Sequence, residues 1–312
     1  MSALPAIDSV LRTPDVRFAG LTGFPYAPRY TEVGGLRIAH VEAGPADAPP
    51  VLLLHGEPTW SYLYRTMIPV LAAAGHRVVA PDLVGCGRSD KPARQSDYTY
   101  LRHVQWMHAW LLANDLSRMT LFCQDWGSLI GLRLVALTPQ RFERIVLANG
   151  GLPTGTGQVP RAFRIWRAFA RFSPVFPVGR IVNAGCVTPL AQADRDAYDA
   201  PFPSARHKAA VRVFPSLVPI SADDPERANN EHAWSVLGEW RKPFLTLFSD
   251  RDPITRGGDR MFRARVPGAQ GQPHGTTRGA GHFLQEDKGP ELAQAICAFI
   301  ASTPTIDSGR PA

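Results

Sequence analysis

The five residues Cys123-Gln124-Asp125-Trp126-Gly127 put a carboxylate on a tight turn between two apolar runs. Met119 to Phe122, before the turn, reads as a buried strand. After it, Ser128 opens a run with helical spacing: Leu129, Leu132, Leu134, Val135 and Leu137. Strand, short turn with small residues at its ends, then helix is the nucleophile-elbow pattern, here with Asp where Ser is usual. A carboxylate is already ionised at neutral pH and attacks carbon without a base to deprotonate it. A helix N-cap is the other use of Asp at such a place. An N-cap, however, requires neither small residues at both ends of the turn nor a buried strand directly before it.

A carboxylate that attacks carbon becomes an ester, and releasing the ester takes water and a base. His282, in Gly279-Ala280-Gly281-His282-Phe283, is the candidate among nine histidines. Nucleophile, acid, then histidine is the chain order of α/β-hydrolases, and a glycine-rich loop before the last helix is where that fold places its base. The acid is Asp252 or Asp250, both of which follow the run Phe244 to Phe248. The other common position, after Ile145 to Ala148, holds Asn149-Gly150-Gly151 and no carboxylate. Asp252 is assigned as the acid and Asp250 as a turn residue. The loop His55-Gly56-Glu57-Pro58 is expected to offer the Glu57 backbone N–H to an oxyanion, paired with the Trp126 N–H. His55 would buttress that loop, and the Glu57 side chain has no assigned role.

Trp126 and Trp166 each carry an indole donor that needs a partner when buried. A helical wheel places Phe163, Ile165, Trp166, Phe169 and Ala170 on one face and Arg161, Arg164, Arg167 and Arg171 on the other. Trp166 would then turn toward the cleft above Asp125, where two indoles would hold an anion such as chloride or bromide. Plain packing of that helix onto the sheet competes with this account of Trp166.

These residues need a scaffold. Strands are expected at Leu36 to Glu42, Val51 to Leu54, Arg77 to Ala80, Met119 to Phe122, Ile145 to Ala148 and Phe244 to Phe248. Helices are expected at Tyr62 to Ala74, Leu101 to Asn114, after Ser128, and from Pro290 to Ala301. Alternating strands and helices imply a mostly parallel sheet covered on both faces, with the chemistry beyond the carboxyl ends of the strands. From Leu152 to Asp224 the pattern breaks into proline- and phenylalanine-rich helical pieces. The expected organisation is a core of residues 1–151 and 225–312 with an inserted helical cap, 152–224.

Composition narrows the class. The chain has 312 residues, 45% hydrophobic and 20% charged, as in soluble globular proteins. No run approaches a membrane span, Met1 to Pro14 does not read as a secretory signal, and four scattered cysteines fit reduced thiols, so a cytoplasmic protein is expected. The net charge of +7 reads as a solvated basic surface rather than a nucleic-acid site, because the arginines are dispersed. No metal or cofactor signature is present, and the reading expects a monomer with no nucleic-acid or membrane partner.

Taken together, the chain resembles haloalkane dehalogenases, within the subfamily whose acid follows the late strand and whose second halide-binding tryptophan lies in the cap. The likeness is densest in His55-Gly56-Glu57-Pro58-Thr59-Trp60-Ser61-Tyr62, in Pro81-Asp82 through Ser89-Asp90-Lys91-Pro92, in Gln124-Asp125-Trp126-Gly127, in Ala200-Pro201-Phe202-Pro203 and in Ala280-Gly281-His282-Phe283. It implies an α/β-hydrolase fold with Asp125 as nucleophile, His282 as base, Asp252 as its orienter, and Trp126 with Trp166 as the halide clamp. The implied substrate is a small halogenated aliphatic, with water as co-substrate and halide as product. An epoxide hydrolase would use the same machinery but needs an acid for the epoxide oxygen, usually two cap tyrosines, and this segment has only Tyr198. An esterase would need Ser at the elbow. A fluoroacetate-type dehalogenase would need arginines beside the nucleophile, where Trp126 stands. A catalytically silent receptor would usually have lost a triad member.

Overall fold

The computed structural model describes residues 7–304. Its main sheet has eight strands: β1 (Arg29–Val33), β2 (Leu36–Ala43), β3 (Pro50–Leu54), β4 (Arg77–Pro81), β5 (Met119–Asp125), β6 (Phe142–Gly150), β7 (Phe244–Ser249) and β8 (Gly275–Thr277). Their spatial order is β8-β7-β6-β5-β3-β4-β2-β1. Pairings from β4 to β8 are parallel, whereas β1–β2 and β2–β4 are antiparallel. All five residues of β3 are buried, as a strand covered on both faces requires. The chain leaves β3 toward β4 on one side and later returns to β5 on the other. The ends of β3 and β5 thus flank a topological switch point, where such sheets bind ligands.

The helices in chain order are α1 (Ile68–Ala73), α2 (Tyr100–Ala113), α3 (Trp126–Leu137), α4 (Arg161–Phe172), α5 (Val178–Ala184), α6 (Gln192–Asp199), α7 (Ala209–Val213), α8 (Arg227–Gly238), α9 (Asp259–Arg265) and α10 (Leu284–Ser302). Thr99 caps α2 by accepting from the Arg102 N–H. α3 buries ten of its twelve residues, which explains its apolar character all round. Between β6 and α8 the chain forms only helices and turns.

Four elements stand out against the sequence expectation. The helix foreseen across Tyr62 to Ala74 is a 3₁₀ turn at Ser61–Tyr64 followed by the short α1. Pro69 has no N–H to extend a helix back through the turn, and it sits in the first turn of α1, where that donor is not needed. Strands β1 and β8 were not foreseen. Both lie at sheet edges, and their half-exposed, polar residues lack the apolar pattern of a core strand. The last helix begins at Leu284, breaks at Lys288, and resumes with Pro290 near the start of its second segment.

Candidate active site

Asp125 is the last residue of β5 and immediately precedes α3. Its backbone lies at φ 50°, ψ −127°, a region L-residues seldom adopt. The β5–β6 register shifts between Gln124 and Asp125, so the turn rises out of the ladder. The Asp125 side chain does not cap α3. Its Oδ1 instead accepts the Glu57 backbone N–H at 2.7 Å, and its Oδ2 lies 3.4 Å from His282 Nε2. Two glycines permit this crossing. A Cβ on Gly127 would lie 1.9 Å from the Leu54 carbonyl oxygen, and one on Gly56 would lie 2.3 Å from Asp125 Oδ1.

His282 is held from both sides. Its Nδ1 is 3.0 Å from Asp252 Oδ2, and its backbone N–H donates to the Gly185 carbonyl at 2.7 Å. Asp252 is fully buried. It accepts the Ile254 N–H at 2.8 Å and the Thr255 N–H at 3.2 Å, and the Thr255 hydroxyl also donates to it. Burial disfavours the Asp252 charge, but His282 and these donors outweigh it and bring its pKa down to about 2. Burial likewise works against a charged His282. The two neighbouring carboxylates outweigh it and raise its pKa to about 10. Asp250 faces elsewhere, accepting the Gly279 N–H at 2.8 Å.

The Glu57 loop is fixed by His55. Its Nδ1 is 2.8 Å from the Gly56 carbonyl, and its Nε2 accepts the Leu83 N–H at 2.9 Å. Trp126 is the first residue of α3, so its backbone N–H has no carbonyl partner within the helix. The Glu57 carboxyl is itself buried. Burial first, and the Asp125 charge second, hold its pKa well above the carboxylate range, while the nearby Trp166 indole opposes the shift. Trp126 is buried, edge-on to Tyr100 at 5.1 Å and tilted against Phe214 at 4.8 Å. Trp166 stacks on Phe169 and is tilted against Phe176.

A cavity of about 890 Å³ opens above the turn. Asp125, Trp126, His282, Glu57 and Trp166 all line it, so every expected site residue except the buried orienter Asp252 reaches one space. The helical wheel for α4 needs correcting. Ile165 and Phe169, expected to face inward with Trp166, are exposed. Ala162, Phe163 and Trp166 line the cavity, and Ala170 is buried as expected.

Two positioning residues were missed in the sequence. Asn149, φ 27°, occupies the alternative acid position and donates from one amide to the Gly281 and His282 carbonyls and the Ser249 hydroxyl, at 2.8–3.0 Å. It ties the histidine loop to the sheet. Gln124 Nε2 lies 3.2 Å from both the carbonyl and Nε2 of His282. The Asn-Gly-Gly run was the available signal for the first. For Gln124, adjacency to Asp125, the expected nucleophile, was the only one.

Comparison with known proteins identifies the fold and the family. The family model described as the alpha/beta hydrolase fold matches residues 49–289. The haloalkane dehalogenase of Mycobacterium marinum is 56% identical over 295 residues, covering 93% of this chain and 99% of the relative. That of Psychrobacter cryohalolentis is 54% identical over 300 residues, covering 95% and 99%. Among solved structures, the tetrameric haloalkane dehalogenase from Paraglaciecola agarilytica NO2 superposes with a TM-score of 0.87 at 36% identity, covering 96% of this chain and all of that one. The chain belongs to the haloalkane dehalogenases, α/β-hydrolase-fold enzymes that act on carbon–halide bonds.

Proposed function

We propose that the chain hydrolyses small haloalkanes through an alkyl ester of Asp125, with His282 as base, Asp252 as its orienter and residues 152–224 as the cap over the cavity. The observation that carries the reading is the position of His282, 3.0 Å from the buried Asp252 and 3.4 Å from the strained Asp125 at the cavity floor.

In the first half-reaction an Asp125 oxygen displaces halide from an sp³ carbon. The new C–O bond forms as the C–X bond breaks, and the halide leaves with the electron pair. The Trp126 and Trp166 indoles donate to the growing negative charge. In the second, His282 takes a proton from water as the water oxygen adds to the ester carbonyl. The Glu57 and Trp126 backbone N–H groups hold the oxyanion until the alcohol leaves and the carboxylate re-forms. Alcohol, halide and one proton are the products. All of these residues come from one chain, so the proposed catalytic unit is the monomer. No helix of the described residues is long and apolar enough to cross a membrane, which fits a cytoplasmic enzyme. The epoxide reading loses support because the Tyr198 hydroxyl donates to Glu286 and its side chain is buried away from the cavity.

His282→Gln, offered 1,2-dibromoethane, is expected to release one bromide per enzyme and then stall, with the bromoethyl ester on Asp125 visible by mass spectrometry. Turnover at the wild-type rate, or no adduct on Asp125, would end this scheme.

A further inference from the structure

The outer face of α4 has no part in the chemistry above. It carries the apolar side chains Ile165, Phe169 and Phe172, spaced i, i+4, i+7, and continues into Val175. Ile165 is 60% exposed, Phe172 74% and Val175 64%. Phenylalanine and isoleucine side chains this far out are costly unless something covers them. The same helix carries Arg161, Arg164, Arg167 and Arg171. None of the four forms an ion pair among the described residues, and Arg171 lies over the Phe172 ring at 5.1 Å. From Arg144 through Ala193 the sequence contains no Asp or Glu at all, so the stretch of chain that carries this helix supplies no acid to it.

We propose that this face of α4 is a docking surface for an anionic lipid bilayer. Large bulky apolar residues beside arginines on a short helix of low overall hydrophobicity are the make-up of helices that lie in a membrane interface. The charge argues against the alternative of a second copy meeting face to face, since that would bring the four unneutralised arginines of one copy against four of another. It favours a negative partner, and the exposed rings favour one with a hydrocarbon layer beneath the charge. The opposite side of the helix, through Ala162, Phe163 and Trp166, lines the cavity. Docking would therefore set the cavity against a phase in which apolar haloalkanes concentrate. A dispersed, solvated charge, as the sequence first suggested, does not describe a helix where four arginines flank three exposed apolar side chains.

The test is co-sedimentation of the full chain with vesicles of phosphatidylcholine alone and of phosphatidylcholine mixed with phosphatidylglycerol. Binding is expected only to the mixed vesicles and should collapse when salt rises from about 0.05 M to about 0.5 M, because the interaction is screened. Arg161→Gln with Arg164→Gln should weaken partitioning by about fivefold per arginine. Ile165→Ser with Phe172→Ser should remove most of it while leaving bromide release in vesicle-free buffer unchanged, since neither side chain lines the cavity. Absence of binding, equal binding to both vesicle types, or binding indifferent to both variants would overturn the proposal. So would concentration-dependent self-association that Phe172→Ser abolishes, which would give the face to a second copy. Failure of the Asp125 scheme would appear in bromide release and would leave the vesicle result intact.

Discussion

Between two carboxylates, with a pKa raised to about 10, His282 holds a proton in the free protein near neutral pH. A protonated imidazole is no base, so in the proposed scheme something must release the proton before water can be activated. Alkylation of Asp125 would do this. Once Asp125 is an ester its charge is gone, and with it the hydrogen bond and Coulomb support that helped keep His282 charged. Burial then weighs against the imidazolium, with Asp252 alone opposing it. Halide displacement itself consumes and frees no proton. The proton of each turnover is therefore expected to leave with ester formation rather than with hydrolysis. In rapid mixing with a pH indicator at about pH 8, wild type should show a proton burst synchronous with the bromide burst, and His282→Gln should show the bromide burst without the proton. Proton release that follows the slower hydrolytic phase in wild type would contradict a charged His282 in the resting site.

At the scale of elements, the turn after β5 and the loop after β3 cross so closely that each needs a glycine, and the two glycines make separable predictions. A Cβ on Gly127 would meet the backbone oxygen of Leu54, which cannot yield without moving β3. Gly127→Ala should therefore lower stability by about 1–3 kcal/mol in denaturant unfolding. A Cβ on Gly56 would lie 2.3 Å from Asp125 Oδ1 and 2.4 Å from its Cβ, and rotation about χ1 moves the carboxyl but not the Cβ, so the turn that carries Asp125 must shift. Gly56→Ala should therefore lose the bromide burst by more than tenfold. An undiminished burst would mean that the crossing is not what positions the carboxylate. The crossing also explains what was legible in the sequence. The central strands and the elbow were, because parallel strands buried on both faces must be apolar throughout and a crossing this tight admits only small residues. The edge strands β1 and β8 were not, since their order comes from pairing to a neighbour rather than from their own side chains. The loop carrying Asp250 and Asp252 could be reached by elimination, because Asn149 left no carboxylate at the other position, yet the hydrogen bonds between Asn149 and the histidine loop and Ser249 are tertiary and leave no periodic trace. The orientation of α4 was misjudged for a related reason. A helical wheel gives the face that is apolar, and here part of that face looks outward.

At the scale of the whole molecule, the ion pair in the site couples folding to pH. The Asp252 carboxyl, lowered to about 2, contributes stability that is complete above its unfolded value of about 3.9 and is lost as pH falls through about 2. His282, raised to about 10, contributes stability that is complete below its unfolded value of about 6.5 and is lost as pH rises through about 10. The two shifts describe the same contact seen from its two partners, so they define one stabilised interval and are not to be added. His282→Gln removes the alkaline edge of that interval. Other groups that titrate in the same range are common to both proteins and cancel in the comparison. Between about pH 7 and about pH 10, the Tm of wild type should therefore fall further than that of His282→Gln, by about 2–4 °C. Parallel curves over that range would mean that His282 gains no proton affinity on folding, and the proton-burst prediction at the residue scale would fail with it.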